Sequence, residues 1–276
     1  AVATIPRTLA EQNYSACDFP MGLSALSAAV WNTIPFMAAT FISAVPASTR
    51  LLLPQGGYAL YPFASDAQFW AIYLCATDKR GISVVQLSRT LGICYDSAWH
   101  LLDRIRTAMG QRDEKYLLSG IVELDDGYVG GPSHNGKRGR GTDKAKIVVA
   151  VSKTANSAPL FARMKAVDNV QGKTLQEIID QYFVPKTKVE CDGYKSYLNL
   201  EGVELNTKKY ETDDLHWVHK AISNLKAFLQ GTYHGRCTKL QAYLDEYCFR
   251  FNRRMTGNQI FLRLTRAVAT SCSVLC

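Results

Sequence analysis

Helical periodicity becomes clear from about Asp66. In AQFWAIYLCATDK, apolar residues recur at Phe69, Ile72, Tyr73 and Ala76, the spacing of one helix face. Val84, Leu87 and Leu91 line a second helix, and Gly92 is placed to end it with a left-handed cap. Asp96 reads as the N-cap of a third helix carrying Ala98, Leu101, Leu102 and Ile105. Two helices joined by a short turn containing Gly form a helix-turn-helix pattern. In DNA-binding versions the second helix enters the major groove, where Ser97, His100 and Arg104 would be available for contacts.

The rhythm then changes. GIVELDDGYVGG opens as a short strand and closes in glycines, AKIVVAVS is a continuous β-branched run, and PLFARMKAV alternates in part. KTLQEIIDQYF has the amphipathic pattern of a helix, with Leu175, Ile178, Ile179 and Tyr182 on its apolar face. TKVEC and VELN are short strands flanking an expected short helix, and helices follow over about 214–230 and 239–254. Three strands followed by alternating strands and helices predict an α/β fold, a mixed sheet covered by helices.

Charge divides the chain differently. The 276 residues carry 32 Lys plus Arg, 24 Asp plus Glu and a net charge of +8. Residues 1–77 hold only Arg7 and Arg50 against Glu11, Asp18 and Asp66, so the whole basic excess lies after them. A polyanionic partner is the first expectation. A hydrophobic fraction of 47% excludes a disordered or low-complexity chain. Phe19 to Thr49 contains no charge, but Pro35 interrupts it and no basic cluster precedes it, so neither a membrane span nor a signal peptide is favoured. The eight scattered cysteines form no regular framework and no Cys-x2-Cys pair, as in a reduced, cytoplasmic protein.

Two strand ends carry candidate chemistry. Asp125 follows Glu123 by two residues, so the two share a sheet face while Asp126 points away. Asp192 stands at the close of a second strand, before Gly193. Carboxylates converging from different strands suit Mg²⁺-assisted phosphoryl transfer. Each Asp also fits an ordinary turn. On the helix after them, Trp217, Ala221, Asn224 and Phe228 share one face, which puts Asn224 on a half-buried surface in need of a partner or a metal. His216, His219, His234 and Cys237 make a poor zinc set, and Glu246 pairs at helix spacing with Arg250, leaving it a reserve third carboxylate. Gly131, Gly136 and Lys137 imitate a phosphate-binding loop, but Arg138 stands where Ser or Thr must bind Mg²⁺. Lys137, Arg138, Arg140, Lys144 and Lys146 read instead as a basic loop that holds phosphates.

Together VELDDGYVGG, GRGTDKAKIVVAV, DGYKSYLNL, WVHKAISNLKAFLQGTYHG and LDEYCFRFNRR resemble bacterial insertion-sequence transposases of the ISXO-two-like branch. The resemblance covers about residues 66–270 and implies a ribonuclease-H-like core with a DD(E/N) site at Asp125, Asp192 and Asn224, assisted by Lys226. It implies two Mg²⁺ (or Mn²⁺) ions and double-stranded DNA as substrate, both element terminal inverted repeats and target. It also implies a homo-oligomer on DNA, with no nucleotide cofactor and no membrane. The expected organisation is a leader over 1–65, a helix-turn-helix region over 66–115 and a catalytic domain over 116–270. The leader lacks the four-Cys ribbon usual in the family and reads as out-of-frame or disordered. An impaired remnant that only binds DNA, and a ribonuclease-H-like nuclease, are the rival readings.

Overall fold

The computed structural model describes residues 66–130, 144–208, 215–234, 239–257 and 259–271. The expected leader, and Lys137, Arg138, Arg140 and Cys237, lie outside these residues.

Three helices come first: α1 (Asp66–Thr77), α2 (Val84–Leu91) and α3 (Tyr95–Glu114). The Ser83 hydroxyl caps α2 by accepting from the Gln86 N–H at 3.1 Å. Gly92 ends that helix at φ 65°, as its position predicts, and its N–H donates to the Ser88 carbonyl. Asp96 is not the cap of α3. The helix starts two residues earlier, at Tyr95 with Cys94 as N-cap, so Asp96 falls within the first turn, where its charge still suits the helix dipole.

Strands β1 (Ile121–Val129), β2 (Ala145–Lys153), β3 (Pro159–Val167), β4 (Lys188–Asp192) and β5 (Glu204–Lys208) form one sheet ordered β3-β2-β1-β4-β5. β1, β2 and β3 are antiparallel neighbours, whereas β4 runs parallel to β1 and β5 parallel to β4. This is the mixed sheet flanked by helices that the strand pattern predicts. The middle of β2, residues 147–151, is apolar throughout because both its faces are covered. Ile147, Val149 and Val151 face α5 (His216–Tyr233) and α6 (Leu240–Asn252), while Val148 and Ala150 face α4 (Gly172–Tyr182). The short helix expected between β4 and β5 does not form. An Asx-type contact, the Tyr194 N–H on Asp192 Oδ1 at 3.2 Å, starts a run of turns instead, and Tyr197 is buried beneath it.

A last helix, α7 (Gln259–Ser271), was not anticipated. It packs on α1 and α3, where Leu264, Ala267 and Val268 join Ile72, Leu102, Ile105 and Phe249 in a helical core. No helix among the described residues is long and apolar enough to cross a membrane.

α6 ties these parts together. Its Gln241 and Asn252 amides hydrogen-bond the outer edge of β3. Gln241 accepts from Ala166 N at 2.9 Å and donates to the Met164 carbonyl at 3.1 Å. Asn252 accepts from Ala162 N at 2.7 Å and donates to the Ala162 carbonyl at 3.1 Å. At its other face Glu246, 2% exposed, accepts from Arg106 at 2.8 Å, Arg250 at 2.7 Å and the Tyr233 hydroxyl at 3.1 Å. Glu246 is therefore no reserve ligand for Asp125: both its oxygens are committed to a buried ionic knot joining α3, α5 and α6. Burial alone would raise its carboxyl, but the Arg250 and Arg106 guanidiniums outweigh that and hold it below the ordinary carboxylate range.

Glu246→Ala leaves two buried guanidiniums unpaired and is expected to cost about 3–5 kcal/mol, read from urea unfolding at neutral pH. Because the folded-state carboxyl lies below its unfolded value, its contribution holds above about pH 4.5 and fades as pH falls through the lower folded value. The gap between wild type and variant should therefore close in acid.

Candidate active site

One face of β1 presents Glu123, Asp125 and Gly127 at alternate positions, and each meets α5. Glu123, 1% exposed, accepts backbone N–H groups of Trp217 at 2.8 Å and Val218 at 3.0 Å through the same oxygen. Its carboxylate thus satisfies the unpaired donors at the start of α5 and meets the positive end of the helix dipole. The other oxygen takes the Lys153 amine at 3.1 Å, and that amine also reaches Glu190 at 2.5 Å. Gly127 lets the helix come down on the strand. A Cβ there would lie 3.2 Å from Ile222 Cδ1 and 3.4 Å from Ile147 Cγ1. The glycines were read as strand-ending residues, but Gly127 sits inside β1, opposite Ile147.

Between these two contacts lies Asp125. It is not at the end of its strand, since pairing with β2 continues to Val129. It stands where pairing with the parallel strand β4 stops, one residue past the Leu124–Cys191 pair. Asp192 is the corresponding next residue of β4, so the two carboxylates leave adjacent strands side by side. His219, on the first turns of α5, brings Nε2 to 3.3 Å from Asp125 Oδ2. The other oxygen of Asp125 accepts the Asp126 N–H at 2.8 Å. Asp126 itself turns to the opposite face, where the Tyr197 hydroxyl donates to it at 3.3 Å.

This crowding shows in the acidity of Asp125. Burial, reinforced by the charges of Asp126 and Asp192, pushes its carboxyl up to about 6, although the Asp126 N–H and His219 pull the other way. A half-buried carboxylate with a second acid beside it and raised affinity for a proton is a site of negative potential suited to a hard divalent cation. The donor set fits such an ion, and Asp125 and Asp192 are the residues that would hold it. No group of three or more His, Cys, Asp or Glu side chains among the described residues is already arranged as a metal cage.

The structure does not bring Asn224 to the aspartates. From His219 it lies five residues on, about 140° around the helix and roughly 7.5 Å along it. It is exposed rather than half-buried, and its amide is a hydrogen-bond partner of the Tyr247 hydroxyl. Lys226, also exposed, is seven residues from His219 and returns to within about 20° of the same stripe. His219 is the residue the motif reading missed. Its sequence signal was the shared phase of His219, Ser223 and Lys226, which the apolar stripe through Trp217 and Phe228 obscured.

Ser97, His100 and Arg104 are exposed on α3, as a DNA-contacting face requires. Lys144 adjoins Gly130 at the edge of β1. Lys146 is not a loop residue: it lies in β2, and strand alternation turns it to the α4 face, away from Asp125. There its amine donates to the Asp168 carbonyl at 3.0 Å.

Residues 117–252 match the ISXO2-like transposase domain family. No curated protein matches the chain. Among solved structures it is similar to a Mos1 transposase paired-end complex with the left transposon end, at 10% identity over 79% of this chain and 82% of that one, with a TM-score of 0.24. A pre-cleavage Mos1 transpososome is similar at 12% identity over 90% of each chain, with a TM-score of 0.23.

Asp125→Asn removes a charge that the fold keeps partly out of water. Since the folded-state value lies above the unfolded one, the acid's contribution to stability is present below about pH 4 and lost as pH rises through about 6. The variant should melt about 2–5 °C higher than wild type near pH 7.5 without divalent cation, and the two should coincide near pH 4. Gly127→Ala should lower the melting temperature by a few degrees, because Ile222 must give way, and should weaken the His219–Asp125 contact, seen as moved His219 ring resonances by NMR at one fixed pH. Asp125, Asp192 and His219 all lie within residues 117–252, the stretch that matches the ISXO2-like transposase domain.

Proposed function

We propose that this protein is a DNA transposase that cuts and rejoins the strands of an insertion sequence by metal-dependent phosphoryl transfer. The observation that supports it most is the meeting of Asp125, Asp192 and His219 where β1 and β4 part company. Asp125 and Asp192 would hold Mg²⁺ or Mn²⁺, two ions in all. Bound there, such ions supply Lewis-acid activation of the attacking oxygen and stabilisation of the leaving one.

The remaining work falls to the chain's own side chains. Asp125 holds a proton more tightly than an ordinary carboxyl, so a cation that enters near or below about pH 6 must displace that proton. His219 is the third member of the site in place of Asn224, able to accept or release a proton at Nε2 beside Asp125. Glu123 and Gly127 position it by fixing α5. Lys226, on the same helix stripe, can hold a substrate phosphate. Ser97, His100 and Arg104 on α3, with Lys144 and the basic segment carrying Lys137, Arg138 and Arg140, would bind the terminal inverted repeats and target DNA. Such chemistry works on paired ends, so a homo-oligomer assembled on DNA in the bacterial cytoplasm is part of the same reading.

An in vitro strand-transfer assay with Mg²⁺ and an end-bearing duplex tests it. Wild type should cleave and join. Asp125→Ala and Asp192→Ala should lose at least a thousandfold in joining while still retaining the duplex in a mobility shift, and His219→Ala should lose about 10²–10³. Joining that survives both aspartate substitutions would overturn the assignment. DNA retention without cutting by wild type would favour a binding remnant, and cutting without joining a nuclease.

A further inference from the structure

A second concave site lies away from the aspartates. A groove of about 750 Å³ runs between the loop joining α1 to α2, the border of α5 and the C-terminal half of α6. Its size is that of a pocket for one or two nucleotide-sized groups rather than for a duplex.

One wall is aromatic. Phe228, Tyr247 and Phe251 line it, and the Tyr247 and Phe251 rings stack with planes 28° apart and centroids 6.3 Å apart. Beside them stands Asn224, whose amide the metal site does not use. The rim is basic. Lys79, Arg80, Arg250 and Arg254 line the groove against a single carboxylate, Asp78, which Arg80 already pairs at 3.4 Å. Arg254 lies 4.3 Å over the Phe251 ring and is held there by the Leu160 carbonyl at 3.2 Å and by the Pro159 carbonyl.

The groove is also built in advance. The Thr232 hydroxyl donates to the Arg80 carbonyl at 2.6 Å and Arg250 to the Asp78 carbonyl at 2.8 Å, which pins the loop against α5 and α6. Gly81, at φ 79°, permits the approach: a Cβ there would stand 2.4 Å from the Tyr233 hydroxyl.

We propose that this groove receives an unpaired stretch of the substrate DNA, with bases stacked on the Phe228–Tyr247–Phe251 wall and phosphates on the Lys79–Arg80–Arg254 rim. Aromatic plates inside a positively charged groove are what single-stranded nucleic acid requires, since every base offers a π-face and every nucleotide a charge. Asn224, whose amide also meets the Tyr247 hydroxyl, keeps its carbonyl and a second N–H for the edge of a base so held. The inference rests on the reading of the chain as a DNA-acting protein. Strands opened for cutting or joining would supply the unpaired nucleotides.

The test is equilibrium binding of the full chain to three fluorescent probes: a single-stranded oligonucleotide of about 12 nucleotides, the duplex of the same sequence, and an abasic sugar-phosphate strand of the same length. The base-bearing strand should bind about tenfold tighter than the abasic one. Phe251→Leu and Asn224→Ala should shrink that preference without changing duplex binding. Ala227→Trp, an exposed residue of the groove changed so as to fill it, should abolish the preference with every native partner retained, which covers the case of a Phe251 variant that does not fold. The double variant Lys79→Ala, Arg80→Ala should weaken both single strands and lower the salt slope by about 1.4. Equal binding of base-bearing and abasic strands, or a preference untouched by Ala227→Trp, overturns the proposal. Base preference in a protein that joins no strands leaves the groove standing and removes the transposase reading. Joining without base preference does the reverse.

Discussion

The buried carboxylate of Glu123 is the contact on which the active-site geometry depends. It is sealed from water, yet it ends a helix, anchors a lysine and starts the strand face that carries Asp125. A buried charge is tolerated only when fully satisfied, and here two backbone donors and an ammonium satisfy it. Because the helix donors are those of Trp217 and Val218, the phase of α5 is fixed at its first turn. That phase decides that His219, and not a residue one position away, overhangs Asp125.

The same economy runs through the larger assembly. Two faces of the sheet have separate apolar cores, one against α4 and one against α5 and α6, and the α1–α3 helices with α7 form a third. The third is joined to the others by Phe249 of α6, which is buried in it, and by polar pairs. Glu246 binds Arg106 from α3, and Asp113 at the end of α3 takes Arg253 at 2.6 Å and Asn252 at 2.8 Å from α6. Hydrogen-bonded ion pairs resist sliding in a way that packed methyl groups do not, so the helical region and the sheet are held in one register. Residues distant in sequence thereby bring the α1–α2 loop onto the border of α5.

Much of this was legible in the chain itself. β-branched runs marked the sheet, Gly92 marked the turn between α2 and α3, and the two aspartates were picked out by their place after apolar runs. The third site residue was not, because helix periodicity gives relative phase and not absolute direction. The stripe through Trp217, Ala221, Asn224 and Phe228 is real, but it borders α6 rather than the sheet. Gly127 was read as a turn residue because close approach between a strand and a helix leaves no local trace. The helix expected after β4 lost to an Asx turn at Asp192, a competition between side chain and backbone that pattern alone does not resolve. α7 could have been found: Ile260, Leu264, Ala267 and Val268 keep helix spacing.

The amides of Gln241 and Asn252 along β3 carry a further consequence. An outer strand with unpaired backbone groups is a template onto which another copy can add, and the hazard grows with local concentration. By occupying the N–H and carbonyl of Ala162, the carbonyl of Met164 and the N–H of Ala166 from within, α6 denies this edge to a second copy. The same two amides tie the strand to α6, so slippage of β3 would have to break side-chain hydrogen bonds as well as its ladder with β2.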